Sequence, residues 1–146
     1  MAATDVYLSL GTNLGNRERN IRIALNLLSL ILGTPRTGMS EIIETQVVGF
    51  DGPDFLNCVV RYRTSKSPQT ILSVCKRVER EMGRTDAPEY DADGARIYHD
   101  RVIDIDILLY GNRKLETPNL TIPHPQLDNR PFFRELIAQI KQNDSL

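Results

Sequence analysis

The apolar positions of the chain change period several times, and each change marks an element. Val6, Leu8 and Leu10 alternate with Tyr7 and Ser9 and stop at Gly11. A period of two is that of a half-buried strand, so residues 5–10 are predicted as the first strand. After the turn Gly11-Thr12-Asn13-Leu14-Gly15 the spacing lengthens. Asn16 suits an N-cap and Glu18 the first turn, and Ile21, Ala24, Leu25, Leu28 and Leu32 recur three and four apart until Gly33 and Pro35 end a helix. Residues 39–47 hold Ile42, Ile43 and Val47 among polar neighbours and are predicted as a strand that runs into the loop Gly49-Phe50-Asp51-Gly52-Pro53.

From Phe55 to Arg63 the alternation is strict, with Phe55, Asn57, Val59 and Arg61 on one face and Leu56, Cys58, Val60 and Tyr62 on the other. Ser67-Pro68 then reads as an N-cap followed by a first-turn proline, Ile71, Leu72, Cys75, Val78 and Met82 form one helical stripe, and Gly83 supplies the stop. Residues 84–100 are almost free of apolar side chains and are predicted as a long structureless loop, a kind that is usually functional or mobile. Val102–Tyr110 reads as a strand, Gly111-Asn112 as a turn, Leu120–Pro125 as a proline-bounded extended segment and Phe132–Ile140 as a closing helix. The order is that of a βαββαβ split pattern, so an α+β, ferredoxin-like sandwich is predicted, an antiparallel sheet with helices packed on one face. No repeat, linker or low-complexity segment divides residues 1–146, and one domain is expected.

Composition agrees with one ordinary core: 146 residues, 40% hydrophobic and 25% charged. The net charge of -1 gives no global field toward nucleic acid or an anionic membrane, so an anionic ligand has to be held by a local cluster. Ala24–Leu32, the longest apolar stretch, is far short of the ~20 residues that span a bilayer, and no basic segment opens the chain. No membrane and no nucleic-acid partner is expected, the cytoplasm is the expected compartment, and a monomer is the default. Cys58 and Cys75 lie among apolar neighbours and are expected to be free thiols in the core.

The most informative chemistry is Asp104 and Asp106, because alternation in Val102-Ile103-Asp104-Ile105-Asp106-Ile107-Leu108 puts both carboxylates on one face. Their α-carbons stand ~6.5 Å apart, close enough for both to bind hard cations such as Mg2+, whose shell is completed by water and phosphate. A solvated strand face balanced by lysines and arginines has the same sequence. Arg84, Arg96 and Arg101 lie near the same edge, and guanidinium forks match phosphate oxygens, although each alone equally suits a surface position. Phe55 and Asn57 place an aromatic plate beside an amide, a pairing that suits a flat heterocycle and also an ordinary core. His124 is framed by Pro123 and Pro125, either presented to a ligand or bonded to backbone. Neither His99 nor His124 has zinc-ligand spacing.

Five separated stretches taken together resemble one family: Tyr7-Leu8-Ser9-Leu10-Gly11-Thr12-Asn13-Leu14-Gly15, Pro53-Asp54-Phe55-Leu56-Asn57, Glu79 with Gly83-Arg84, Asp100-Arg101-Val102-Ile103-Asp104-Ile105-Asp106-Ile107-Leu108, and Thr121-Ile122-Pro123-His124-Pro125 with Asn129-Arg130-Pro131-Phe132. They are similar to the 6-hydroxymethyl-7,8-dihydropterin pyrophosphokinases of folate biosynthesis. The resemblance implies a ferredoxin-like fold and transfer of pyrophosphate from ATP to the pterin hydroxymethyl group, releasing AMP. It implies that Asp104 and Asp106 hold two Mg2+ ions and that Arg84 and Arg101 stabilise phosphate charge as catalytic residues. Phe55 and Phe132 would sandwich the pterin, with Asn57 and the Thr45, Val47 and Val48 segment reading its polar edge. Arg96, His124 and Arg130 would contact ATP, and Glu79 is placed with them as a nucleotide-site residue. The loop before Arg101 is expected to close over ATP, since an open site lets water compete. A non-catalytic ferredoxin-like RNA or ligand module, and another nucleotide-dependent transferase, are the rival classes. Few aromatics, at 6% with no Trp, and the absence of a basic excess disfavour the RNA module.

Overall fold

The computed structural model describes residues 2–46, 52–83, 89–90, 92–94, 96–97 and 102–145. Strand β1 (Thr4–Thr12) is followed by α1 (Arg17–Leu32), β2 (Gly38–Met39), β3 (Ile43–Thr45), β4 (Phe55–Thr64) and α2 (Pro68–Glu81). A two-residue pair, β5 (Glu89–Tyr90) and β6 (Arg96–Ile97), precedes β7 (Asp104–Tyr110). The hairpin β8 (Leu115–Thr117) and β9 (Leu120–Ile122) and the helices α3 (Gln126–Asn129) and α4 (Phe132–Asn143) complete the chain. The main sheet is antiparallel in the order β2-β4-β1-β7, with β3 also on β4. Counting β2 and β3 as one interrupted strand, that order is the ferredoxin-like arrangement expected from the alternation of periods.

Caps fall where the sequence places them. The Asn16 side chain accepts from the Arg19 N–H, Ser67 accepts from the Thr70 N–H with Pro68 in the first turn, and Gly33 ends α1 in a left-handed conformation. The apolar stripes of α1 and α2 pack on one face of the sheet, against Val6, Leu8, Leu10, Cys58, Val60, Tyr62, Ile103, Ile105 and Ile107. The closing helix α4 takes part of the opposite face, where Phe133, Leu136, Ile137 and Ile140 meet Tyr7, Val59 and Leu108. Leu108 follows Asp104 and Asp106 onto that side by alternation, and a bulge that shifts the β1–β7 register between Tyr7 and Leu8 sets Leu109 opposite Tyr7, packed against the same cluster. Both cysteines are buried free thiols.

Three expectations need correction. The strand predicted over 39–47 is broken. Ser40 accepts the Val59 N–H on its hydroxyl, 2.9 Å, in place of a backbone carbonyl, and the ladder resumes only at Ile43. The loop predicted as structureless over 84–100 contains the β5–β6 pair. The last long strand starts at Asp104 instead of Val102. No helix among the described residues is long and apolar enough to cross a membrane.

Candidate active site

The site lies on the face that α4 partly covers, adjoining the Tyr7–Val59–Leu108 contact toward the C-terminal end of β1. Strand register lays it out as two rows. Gly11 of β1 has Asn57 of β4 on one side and Asp104 of β7 on the other, while Ser9 lies between Val59 and Asp106. Continuing outward, Ile43 is paired with Asn57 and Thr45 with Phe55. Asp104 and Asp106 are half-buried on the same face of β7, with Ile103, Ile105 and Ile107 buried on the other.

On the β3–β4 side the Asn57 amide is buried and donates from Nδ2 to the Thr45 hydroxyl at 2.6 Å. That bond fixes which way the amide faces and leaves its carbonyl oxygen beside Gly11. The chain entering β4 is held by the β1–α1 turn. Asn13 Nδ2 donates to the Pro53 carbonyl at 3.1 Å, and Arg17 Nη1 donates to the Asp54 carbonyl at 2.7 Å while pairing with Glu44 of β3 at 2.8 Å. Phe132, first residue of α4, is half-buried against the second apolar cluster together with Ile43, which brings it to the face that carries Asn57.

On the β7 side, His124 is fixed at both ends. Its N–H donates to the Leu108 carbonyl at 3.0 Å, and its ring Nδ1 accepts from the Gln126 N–H at 3.0 Å. With Nδ1 accepting, the proton of the neutral ring sits on Nε2, which stands 3.8 Å from Asp106 Oδ1. Burial pushes the His124 pKa below its ordinary 6.5, Asp104 opposes that shift and Arg130 adds to it. Burial thus favours the neutral ring, with its Nε2–H facing Asp106. Glu79 of α2 is fully buried, and Oε2 accepts the Ile105 N–H at 2.9 Å, while Oε1 stands 3.5 Å from Lys76 Nζ. Glu79 thus grips the outer edge of β7 between the two aspartates.

A cavity of about 300 Å³ opens beside these groups, between α2, β7 and the β8–β9 hairpin. Leu72, Ile105, Ile107 and Leu120 give it an apolar wall, and Lys76, Asp106 and His124 line its polar end. Lys76 and this hairpin wall are absent from the sequence-based site. The i, i+3 pair Lys76 and Glu79 was the available signal, but it has the appearance of a surface ion pair until Glu79 is seen to be buried. Of the residues named from sequence, Asp104, Asp106, His124 and Glu79 gather at β7, and Thr45, Phe55 and Asn57 gather on the β3–β4 side, with Phe132 packed on the apolar cluster of the same face. Arg130 ends α3, half-buried and close enough to act on His124. Arg84, Arg101, Val47 and Val48 lie outside the described residues, as does the side chain of Arg96.

The donor set at β7 suits Mg2+. Two hard carboxylates, with none of the described residues forming a group of three or more metal-binding side chains, make a half-shell of the kind that phosphate oxygens and water complete. A ferredoxin-like sheet with such a half-shell, a cavity beside it and an aromatic–amide pair two strands away suits a transferase acting on phosphoanhydrides.

The comparisons narrow the class. The family model for 7,8-dihydro-6-hydroxymethylpterin-pyrophosphokinase matches residues 7–142, and the chain belongs to that family. It is 42% identical over 137 residues to the 2-amino-4-hydroxy-6-hydroxymethyldihydropteridine pyrophosphokinase of Porphyromonas gingivalis, covering 92% of this chain and 89% of the relative. The Bacillus subtilis protein of the same name is 36% identical, covering 93% of this chain and 77% of the relative. A folate synthesis bifunctional protein of Arabidopsis thaliana is 40% identical over 88% of this chain, which spans 25% of that longer protein.

Proposed function

We propose that this pyrophosphokinase transfers the terminal two phosphates of ATP, as one unit, to the hydroxymethyl oxygen of 6-hydroxymethyl-7,8-dihydropterin, with Mg2+ held by Asp104 and Asp106. The observation that carries this proposal is the register that sets Asn57 and Asp104 on either side of Gly11, because it puts a heterocycle-reading amide and a phosphate-metal ligand on one surface. Phe55 and Phe132 stack the pterin, whose donor and acceptor edge is met by the Asn57 and Thr45 polar groups and by the segment of Val47 and Val48. The nucleoside takes the cavity walled by Leu72, Ile107 and Leu120, which leads its phosphates past Lys76 and His124 to Asp106. Glu79 supports this by holding the Ile105 N–H, so that both aspartates keep their aim.

When bound, Mg2+ neutralises triphosphate charge and makes the β-phosphorus the better electrophile. The chain does the rest. His124 donates a hydrogen bond from Nε2–H to a phosphate oxygen, Arg130 adds charge at the same end, and Arg84, Arg96 and Arg101 take up the oxygens on which charge grows. The new bond joins the pterin oxygen to the β-phosphorus, the bond between the α-phosphate bridging oxygen and that phosphorus breaks, AMP leaves, and the hydroxyl proton of the pterin passes to water. Incubation with ATP, Mg2+ and the hydroxymethylpterin should release AMP in step with pterin consumption. Release of ADP would instead indicate an ordinary kinase. Asp104→Ala and Asp106→Ala should each fold normally and lose turnover by roughly a hundredfold or more, since a metal-bound charge is lost and no core contact is. Normal turnover in either variant would remove the carboxylate pair from the mechanism.

A further inference from the structure

Gly11 is buried near the C-terminal end of β1, yet its backbone does not require a glycine. Among the described residues the positive-φ glycines are Gly15, Gly33, Gly83, Gly94 and Gly111, and Gly11 is not one of them. What excludes a side chain there is space. A Cβ at Gly11 would stand 2.9 Å from Asn57 Oδ1 and 3.6 Å from Phe55 Cδ1. Asn57 cannot simply swing aside, because it is only 6% exposed and its Nδ2 is held by Thr45 at 2.6 Å. Turning the amide away would break that bond or bury the carbonyl without a partner.

Strand spacing adds the second half. Neighbouring strands lie about 4.8 Å apart, so Asn57 and Asp104, one strand to either side of Gly11, stand about 10 Å apart across it. On the same row, a side chain at position 11 would rise between the amide and the carboxylate. From these observations we infer that Gly11 is a positioning and specificity residue of the transfer reaction. Its bare backbone leaves room for the Asn57 amide in the orientation that Thr45 fixes, and forms the floor over which the pterin's hydroxymethyl arm reaches the phosphate held at Asp104. The inference rests on the pyrophosphokinase assignment of this face.

The test begins with the wild-type chain, whose AMP release with ATP, Mg2+ and the hydroxymethylpterin decides that assignment by itself. Gly11→Ala is then compared with it. The KM for the pterin should rise roughly tenfold to a hundredfold, matched by weaker pterin binding read from pterin fluorescence, because a displacement of about 1 Å in a positioning group has that scale of effect. Affinity for a non-hydrolysable ATP analogue should stay within about twofold, since the nucleotide cavity lies beyond β7. The same substitution in an Asn57→Ala background should cost markedly less, because the group it collides with most closely is gone. Should Gly11→Ala fail to fold, the double variant should fold. An unchanged pterin KM in Gly11→Ala, an equal loss of ATP-analogue binding, an undiminished effect in the Asn57→Ala background, or a double variant that also fails to fold would each overturn the inference.

Discussion

At the scale of single residues, the site is built from side chains whose role depends on what the backbone offers them. Glu79 is the clearest case, because a fully buried carboxylate on a helix would be costly were it not accepting the Ile105 N–H of the sheet edge. Glu79→Ala leaves that N–H buried and orphaned, a loss of about 1–3 kcal/mol. For a chain of this size that lowers the thermal midpoint by roughly 3–9 °C, while Glu79→Gln keeps an acceptor and should recover most of it. Calorimetry of the two variants checks this, and equal midpoints would dismiss the hydrogen bond as a support. The thiols make a second residue-scale prediction. Burial pushes Cys58 up to about 12 and raises Cys75 as well. Neither carries appreciable thiolate at pH 8, so iodoacetamide should leave both unmodified in the native protein and alkylate both after unfolding. Native labelling at either would contradict the burial. The acid pair and the aromatic–amide pair were legible from alternation alone, since a period of two assigns faces. Lys76 and Gly11 were not, because their importance comes from neighbours on other elements, and register and packing are tertiary facts.

At the scale of elements, α4 is fastened at two places beyond its apolar stripe. Gln139 exchanges hydrogen bonds with Glu41, and Arg61 grips Asp144 with both Nη atoms, at 2.6 and 2.9 Å, while Thr37 accepts from its Nε and Nη2. The hydrogen bonds from Arg61 hold the Asp144 carboxyl below its ordinary value. A carboxyl whose folded pKa is below its unfolded one stabilises the fold fully above the unfolded value, near 3.9, and ceases to do so as pH falls through the folded value. Amide exchange at the end of α4, corrected for intrinsic rates, should therefore accelerate below about pH 4 in the wild type. In Asp144→Asn it should already be fast at neutral pH, with little further change on acidification. The same pH response in both proteins would place its origin elsewhere. The long helices and strands were legible because caps and period agreed over many residues. The β8–β9 hairpin and α3 were not, since three- and four-residue elements complete hardly one period, and Pro118 and Pro125 disguise them as extended chain. The split of β2 from β3 was hidden for another reason, as nothing in the composition of 39–47 announces that a serine hydroxyl will replace a backbone acceptor.

At the scale of the whole molecule, stability and chemistry occupy different parts of one sheet. The two apolar clusters close on the two faces of the strands and include neither Asp104 nor Asp106. Metal should thus be needed for turnover and not for folding, unlike a structural site whose ligands are part of the fold. A chelator added to the protein alone should leave the thermal midpoint unchanged and abolish AMP release. Adding Mg2+ with a non-hydrolysable ATP analogue at about a hundred times its Kd should stabilise the native state by about 2.7 kcal/mol, or roughly 5–10 °C, because the ligand binds only the folded form. The chelator should erase that increment, and Asp106→Ala should never show it, since the nucleotide cavity meets the metal half-shell at that residue. A midpoint that falls on chelation without nucleotide would mean that the metal belongs to the scaffold. A nucleotide increment that survives both chelator and substitution would mean that ATP is held without the aspartates, and the division of labour across the sheet would have to be redrawn.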